Sequence, residues 1–177
     1  ECISSSLKAL YPNIPILSEE GLEIPYKERK EWNSFWLIDP IDGTKEFIKK
    51  NGEFTVNIAL IRNQKPVLGI VYAPVLDKYW YGSEEGSFVI NNGETKKITV
   101  NNKFNDEIKV VASRSHSSPL LKKFLESFNN YKLVSMGSSI KICLVAEGEA
   151  DIYPRLAPTM EWDTAAAHAV LKFAGGN

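Results

Sequence analysis

The 177-residue sequence lacks several features that define specialised classes of protein. It has only two cysteines, Cys2 and Cys143, which form neither a disulfide framework nor a metal-ligand pair of recognisable spacing. No apolar run reaches the roughly 18 residues that indicate a membrane span. These absences exclude a disulfide-stapled fold and a membrane-spanning segment within this sequence, and they favour reduced thiols in the cytoplasm.

The sequence also lacks an excess of charge of either sign. Its 21 basic and 22 acidic residues give a formal net charge of −1. Without a basic stripe there is no indication of binding to a nucleic-acid polymer, and without an acidic tail there is none of disorder. No repeat or low-complexity segment occurs, which excludes a solenoid. What is present is a hydrophobic content of 44%, enough for a real core.

Neither end of the sequence carries a targeting signal. It opens on Glu1 without a Met, and it stops at Gly175-Gly176-Asn177, just after an apolar helical pattern. Glycine commonly follows the last turn of a helix, so this stop predicts a helix exit that leads into further chain. We therefore interpret the sequence as a piece of a longer protein.

Apolar runs separated by turn residues predict strands in the first part of the chain. Residues 36–41 form a short apolar run with Pro40 near its end, which is typical of a buried strand leading into a loop. Runs rich in Val, Ile and Leu predict a hairpin over 54–62 and 66–73, followed by short strands near 78–82 and 87–90. This part is predicted to be an antiparallel meander.

After about residue 105 the pattern alternates between strands and helices. We predict strands at 108–112, 131–135 and 150–154, and helices at 117–128, 138–147 and 161–173. Such alternation favours a mostly parallel sheet with crossover helices. The predicted fold class is a layered α/β (α+β) fold, with an antiparallel subdomain at 1–105 and an α/β subdomain at 106–177.

The strongest chemical motif is residues 39–44, Asp-Pro-Ile-Asp-Gly-Thr, at the end of the apolar strand. Pro40 fixes φ and Gly43 permits a conformation closed to other residues, so the turn can point Asp39, Asp42 and the Ile41 carbonyl at one spot. Hard oxygen ligands of this kind suit Mg²⁺. A helix beginning at the following threonine would present free N–H groups to a phosphate oxygen. The alternative is an ordinary surface turn that caps a helix.

Two other carboxylates are weaker candidates on their own. Glu19 follows an apolar stretch and has a solvated acidic loop as its alternative. Asp163 falls in the first turn of a predicted helix, where the helix macrodipole alone would explain it. Nearby, Trp162 and His168 are expected to be packing residues.

Together these motifs resemble the lithium-sensitive, Mg²⁺-dependent phosphatase superfamily of inositol monophosphatases, fructose bisphosphatases and 3′(2′),5′-bisphosphate nucleotidases. Within it the chain is similar to the bacterial CysQ-type nucleotidases over nearly its whole length. Segments 17–20, 42–48, 51–57, 113–116, 137–141 and 153–155 carry this likeness. The resemblance implies a sugar-phosphatase-like αβαβα sandwich.

The resemblance also implies roles for individual residues. Those matching the metal ligands, for two or three Mg²⁺ ions, are Glu19, Asp39, the Ile41 carbonyl, Asp42 and Asp163. Those matching catalytic positions are Glu19, Asp42 and Thr44, whose hydroxyl would help orient the attacking water. The positions implied to contact the substrate are Glu19, Ile41, Asp42, Gly43, Thr44, His116, Ser138, Lys141, Arg155 and Asp163. Alternatives remain open for three of them: a helix N-cap for Ser138, a solvated helix residue for Lys141 and a surface charge for Arg155.

The function implied is a Mg²⁺-dependent phosphomonoesterase that hydrolyses 3′-phosphoadenosine 5′-phosphate (PAP) to AMP and phosphate by metal-activated water. The alternatives are an inositol monophosphatase or broad sugar phosphatase, an inactive nucleotide- or metal-binding fragment, and a purely structural domain. The expected partner is a small nucleotide bisphosphate, with the protein a cytoplasmic monomer or homodimer. Peripheral association with the cytoplasmic face of the inner membrane is left open.

The resemblance implies two further elements that we expect this chain to lack. One is an Asp upstream of the Glu19-Glu20 pair, which in the family works with the threonine hydroxyl. The other is a last strand after residue 173.

Overall fold

A computed structural model of the chain describes residues 1–103, 106–113 and 119–177. These residues form six helices and nine strands. The helices are α1 (Cys2–Leu10), α2 (Tyr26–Arg29), α3 (Thr44–Ile48), α4 (Pro119–Leu125), α5 (Ile140–Ala146) and α6 (Glu161–Phe173). The strands are β1 (Ile16–Ser18), β2 (Ser34–Asp42), β3 (Thr55–Arg62), β4 (Lys65–Ala73), β5 (Lys78–Ser83), β6 (Gly86–Asn91), β7 (Glu94–Ile98), β8 (Ile108–Ala112) and β9 (Tyr131–Ser135).

The first seven strands form one sheet in chain order. β1 pairs with β2 in parallel, and each later pair is antiparallel, which confirms the predicted meander. The predicted hairpin turns at Asn63 and Gln64, whose φ values of 49° and 62° suit a two-residue type I′ turn. Two strands were not predicted from the sequence. β1 has only three residues. In β7 the residues Glu-Thr-Lys-Lys are exposed and mostly charged, which is typical of an edge strand that is protected from pairing with other chains.

The second sheet holds β8 and β9 in parallel, with α4 between them along the chain. This arrangement confirms the predicted crossover unit and, with the large sheet, the layered α/β fold class. The strand predicted at 150–154 is wrong: only Ile152 makes a bridge, to Val110. Pro154 offers no backbone N–H, so pairing cannot extend in that direction.

Helix α6 crosses the large sheet and contacts strands β2 to β6. Two glycines make this close approach possible: a Cβ atom at Gly69 would lie 2.1 Å from the Ala166 carbonyl oxygen, and one at Gly82 would lie 2.7 Å from the Val170 Cα. The main hydrophobic cluster therefore includes residues from the sheet and from both α5 and α6. The division at residue 105 stays a prediction.

Several single-residue expectations can be compared with the structure. Trp162 packs against the main cluster, as expected. The expectation for His168 is wrong: it is exposed, although its neighbours Ala167 and Ala169 in α6 are buried. Cys143 is buried and Cys2 exposed, and both are free thiols. Among the helices described here, none has both the length and the apolar character that crossing a membrane demands.

Candidate active site

The end of β2 forms the turn that the 39–44 motif predicts. Pairing of β2 with β3 becomes irregular between Asp39 and Asp42, and the Ile41 N–H donates a hydrogen bond to Asp39 Oδ1 at 3.0 Å. Gly43 follows with φ at +91°, a conformation that favours glycine, and α3 begins at Thr44. The turn therefore directs the chain away from the sheet while leaving both aspartates at its edge.

Three carboxylates converge at this edge. One oxygen each of Asp39, Asp42 and Asp163 lies within 4.8 Å of the others. Asp163 reaches the group from the first turn of α6, where it accepts hydrogen bonds from the Thr159 hydroxyl at 2.6 Å and from the Met160 N–H at 3.0 Å. Asp163 thus caps its helix and also faces the other two aspartates.

Burial makes the negative charge at this edge unfavourable. Asp39 is 1% exposed, and burial together with the nearby charges of Asp42 and Glu19 raises its pKa to about 8. The pKa of Asp42 is also raised, mainly by burial, although Lys141 and the Ser139 N–H oppose the shift. A cation placed among these oxygens would relieve both the repulsion and the lost hydration. An all-oxygen donor set suits a hard divalent ion.

Glu19 lies beside this group rather than within it. Its backbone N–H donates to the Ile38 carbonyl at 3.1 Å, which fixes it next to the end of β2. Its side chain is exposed, and its charge helps to raise the pKa of Asp39. The neighbouring Ile41, whose carbonyl is the other predicted ligand, is 40% exposed.

Polar residues that the sequence analysis did not select hold Asp42 in place. Its Oδ2 accepts a hydrogen bond from the Ser139 N–H at 2.6 Å and a longer one from Asn57 Nδ2 at 3.5 Å, and Thr55 Oγ1 lies 3.5 Å from the same oxygen. A signal for two of these was available in the sequence. Thr55 and Asn57 occupy the same alternating, buried row of β3 as Ala59 and Ile61, where a polar residue needs a reason to be present.

Two cations, Lys141 and Arg155, line a small cleft together with Asp42 and Asp163. Lys141 is 6% exposed, so the solvated alternative for it is wrong. Burial lowers its pKa and Arg155 adds to this effect, while Asp42 opposes it. Exposed Arg155 donates to the Tyr153 hydroxyl at 3.4 Å and to the Pro158 carbonyl at 3.2 Å. The cleft is lined by Asp42, Ser138, Ser139, Lys141, Ile142, Tyr153, Arg155, Thr159, Asp163 and Thr164.

The remaining predicted positions differ in how they relate to this cleft. Ser138 is buried beside Asp42 with φ at +45°, and the N-cap of α5 is Ser139, so the N-cap alternative for Ser138 is wrong. Thr44 is exposed at the first position of α3. His116 lies outside the described residues.

Comparison with known proteins identifies the family of this chain. The model of the inositol monophosphatase family matches residues 1–177, which is the whole chain. The chain is 49% identical to the 3′(2′),5′-bisphosphate nucleotidase CysQ of Salmonella typhimurium over 175 residues, which cover 99% of this chain and 70% of that protein. It is 48% identical to the protein of the same name from Escherichia coli K12 over 178 residues, with the same coverage. The chain therefore belongs to the inositol monophosphatase family and, within it, to the 3′(2′),5′-bisphosphate nucleotidases of the CysQ type.

Solved structures agree with this assignment. The crystal structure of CysQ from Bacteroides thetaiotaomicron superposes with a TM-score of 0.87 at 41% identity, over 97% of this chain and 71% of that one. The inositol monophosphatase of Thermotoga maritima superposes with a TM-score of 0.76 at 29% identity, over 98% of this chain and 65% of that one.

Proposed function

We propose that this chain is a Mg²⁺-dependent phosphomonoesterase that hydrolyses 3′-phosphoadenosine 5′-phosphate to AMP and phosphate. The observation that carries the proposal is the cleft itself. Asp42 and Asp163, two of the three carboxylates that could hold a divalent ion, line it together with Lys141 and Arg155, which could bind a second phosphate. The similarity to named bisphosphate nucleotidases supports a substrate with two phosphates.

The donor set at the end of β2 fits Mg²⁺. Asp39, Asp42 and Asp163 would hold one ion, and their convergence within 4.8 Å supports this. Glu19, Asp39 and the Ile41 carbonyl would hold another, and the hydrogen bond from the Glu19 N–H to the Ile38 carbonyl, next to Asp39, supports their proximity. Two or three ions would use these ligands. Bound Mg²⁺ supplies positive charge that neutralises the phosphoryl oxygens and lowers the pKa of water.

The chain's own residues position the reacting groups. The Gly43 and Thr44 backbone at the start of α3 would donate N–H groups to the phosphate being removed, and the Thr44 hydroxyl would orient the attacking water. Because phosphoryl transfer depends mainly on positioning and charge neutralisation, the protein needs no covalent nucleophile. Buried Cys143 fits this view, because burial raises the pKa of its thiol and keeps it protonated.

The cationic side of the cleft would select the substrate. Arg155 can bind the 5′-phosphate through two parallel N–H groups, and Lys141 adds a point charge beside it. Ser138 and His116 are proposed as further contacts with the nucleotide. A substrate with only one phosphate would leave Lys141 and Arg155 without a phosphate to bind.

An inositol monophosphatase is the second candidate, favoured by the match to the Thermotoga maritima enzyme. Phosphate release from the adenosine bisphosphate and from inositol 1-phosphate distinguishes the two. We expect Mg²⁺-dependent, Li⁺-suppressed release that favours the bisphosphate. A chain that binds Mg²⁺ but releases phosphate from neither compound would instead be a binding protein, and the proposal would be wrong.

The variant Arg155→Ala sharpens this assay. Losing charged hydrogen bonds to a phosphate costs about 1.5–3 kcal/mol, so KM for the bisphosphate should rise roughly 10- to 100-fold. Activity on inositol 1-phosphate should change less than about twofold. Arg62→Ala, at the exposed far end of β3, is the matched control and should alter neither activity. An equal loss on both substrates in Arg155→Ala would argue against a bisphosphate site.

A further inference from the structure

Residues 137–139, which we call the 137–139 loop, lead into α5 and form one wall of the cleft. The loop lies very close to the segment before β3: a Cβ atom at Gly137 would be 2.8 Å from the Glu53 carbonyl oxygen. Its middle residue, Ser138, holds φ at +45°, which is unfavourable for a serine. A conformation of this kind persists only where the surroundings hold it in place.

Side chains from one stretch of chain hold this loop. Glu53 Oε2 accepts a hydrogen bond from the Gly137 N–H at 2.8 Å. Two residues on, Thr55 Oγ1 lies 3.0 Å from Ser138 Oγ and 2.8 Å from Ser139 Oγ. Alternate residues of an extended chain point to the same side, so successive side chains contact successive residues of the loop.

Asn57 is the third residue of this stretch to contact the loop, and its two contacts fix the direction of the hydrogen bonds. The Ser139 hydroxyl donates to Asn57 Oδ1 at 2.8 Å, and Asn57 Nδ2 faces the Asp42 carboxylate at 3.5 Å. A carboxylate can only accept, so the amide nitrogen must be the atom that faces it. Asn57 also lies opposite Asp39 in the sheet register. It therefore touches the loop and the carboxylate cluster at once.

The contacts made directly with Asp42 meet at one oxygen atom. Within the described part of the chain, Asp42 Oδ2 accepts hydrogen bonds from the Ser139 N–H and from Asn57 Nδ2. Thr55 Oγ1 lies 3.5 Å from the same oxygen, and its single proton goes to the nearer Ser139 Oγ, because the Ser139 hydroxyl donates to Asn57. Oδ1 is thereby left for a cation. Groups that hydrogen-bond a metal ligand in this way fix its orientation, and their loss commonly weakens metal binding 10- to 100-fold.

We propose that Thr55 and Asn57 are positioning residues that orient Asp42 for metal binding, Asn57 directly and Thr55 through the 137–139 loop. This inference builds on the proposed Mg²⁺ site. Neither residue touches the substrate in this scheme. Thr55 is 0% and Asn57 1% exposed, so both are buried beneath the cleft and can affect the metal only through the groups that they contact.

The test compares Thr55→Val, which removes the hydroxyl at nearly constant shape, with Thr55→Ser, which keeps it. Mg²⁺ affinity is measured by calorimetry without substrate, and kcat and KM are measured on the bisphosphate. We expect Thr55→Val to weaken Mg²⁺ binding about 10- to 100-fold, with kcat reduced at fixed Mg²⁺. KM measured at saturating Mg²⁺ should change less than about twofold. Thr55→Ser should stay within about threefold of the unmodified chain.

Ser87→Ala is the matched control for a merely structural effect. Ser87 is fully buried, and its hydroxyl donates to the Val170 carbonyl at 2.6 Å, away from the cleft. This variant should lose stability and keep its Mg²⁺ affinity. Unchanged Mg²⁺ affinity in folded Thr55→Val, or an equal loss in Ser87→Ala, would overturn the positioning role. Absence of Mg²⁺ binding by the unmodified chain would instead overturn the proposed function, together with this role.

Discussion

The molecule contains two groups of largely buried charged residues, one with opposite charges paired and one with like charges brought together. Next to the end of α5, Glu147 Oε1 accepts hydrogen bonds from Lys78 Nζ at 2.7 Å and from Trp80 Nε1 at 2.5 Å. At the end of β2, Asp39, Asp42 and Asp163 bring like charges within 4.8 Å. The Glu147 group carries its own counter-charge, whereas the three aspartates repel one another.

This contrast separates a structural arrangement from a functional one. A buried acid with a cation and a donor costs the fold little and joins β5 to α5. Three carboxylates arranged to repel are destabilising by themselves, and proteins keep such strain at sites where a ligand relieves it. The positive charge of Lys141 partly offsets the rise in the pKa of Asp42. For Asp39, the main causes of the raised pKa are burial and the negative charges of Asp42 and Glu19.

The largest expected effect is on activity. Asp42→Asn keeps the shape of the side chain and removes its charge, so phosphate release should fall at least about 1,000-fold, as expected when several kcal/mol of charge stabilisation is lost. Asp151→Asn is the control, since Asp151 is also a hydrogen-bonded aspartate but accepts from Asn101 and the Lys109 N–H instead. Near-normal phosphate release by Asp42→Asn would show that the aspartates are not needed for the reaction.

The next effect is on stability and concerns the Glu147 group. Glu147→Gln removes the counter-charge of Lys78, so we expect the free energy of unfolding to fall by about 1–3 kcal/mol. Thermal unfolding should show this as a loss of roughly 2–10 °C. Mg²⁺ affinity should stay within about twofold. A variant as stable as the parent would show that the buried pair contributes nothing.

The smallest effect has the opposite sign. Asp39→Asn should stabilise the metal-free chain by about 1–2 kcal/mol at pH 7.5, because it removes an acid that the fold disfavours in its charged form. With a folded pKa of about 8 against the ordinary aspartate pKa of 3.8, the folded chain keeps a proton that the unfolded chain has released. Stability of the metal-free parent should therefore fall as pH rises from about 4 to 8.

Thermal unfolding across that pH range checks this prediction. The difference between parent and Asp39→Asn should be negligible near pH 4 and largest near pH 8. A variant that is less stable than the parent at every pH would contradict the view that Asp39 is held against its own preference.

The sequence predicted the aspartates better than it predicted what holds them. The 39–44 motif is local, so Pro40, Gly43 and the apolar strand before them specify the turn without reference to distant residues. The contact of Asp163 with this turn is not local, and only the resemblance to a family suggested it. The same limit hid the Ser139 N–H, since a backbone donor has no signature in the sequence.

Secondary structure shows a similar division. The β3–β4 hairpin could be predicted because its strands are rich in Val, Ile and Leu and turn residues separate them. β7 could not be found in this way because its charged side chains protect an edge and bury almost nothing. Residues 150–154 carry the composition of a strand, but Pro154 and a single bridge at Ile152 limit what they form.

The most direct measurement is the melting temperature of the unmodified chain as Mg²⁺ is added at pH 7.5, with Asp42→Asn alongside. A ligand that binds only the folded chain stabilises it by about 2.7 kcal/mol at 100 times its Kd. We therefore expect a rise of roughly 5–10 °C for the unmodified chain and almost none for Asp42→Asn. No rise in the unmodified chain, or an equal rise in both, would contradict a metal site at the three aspartates.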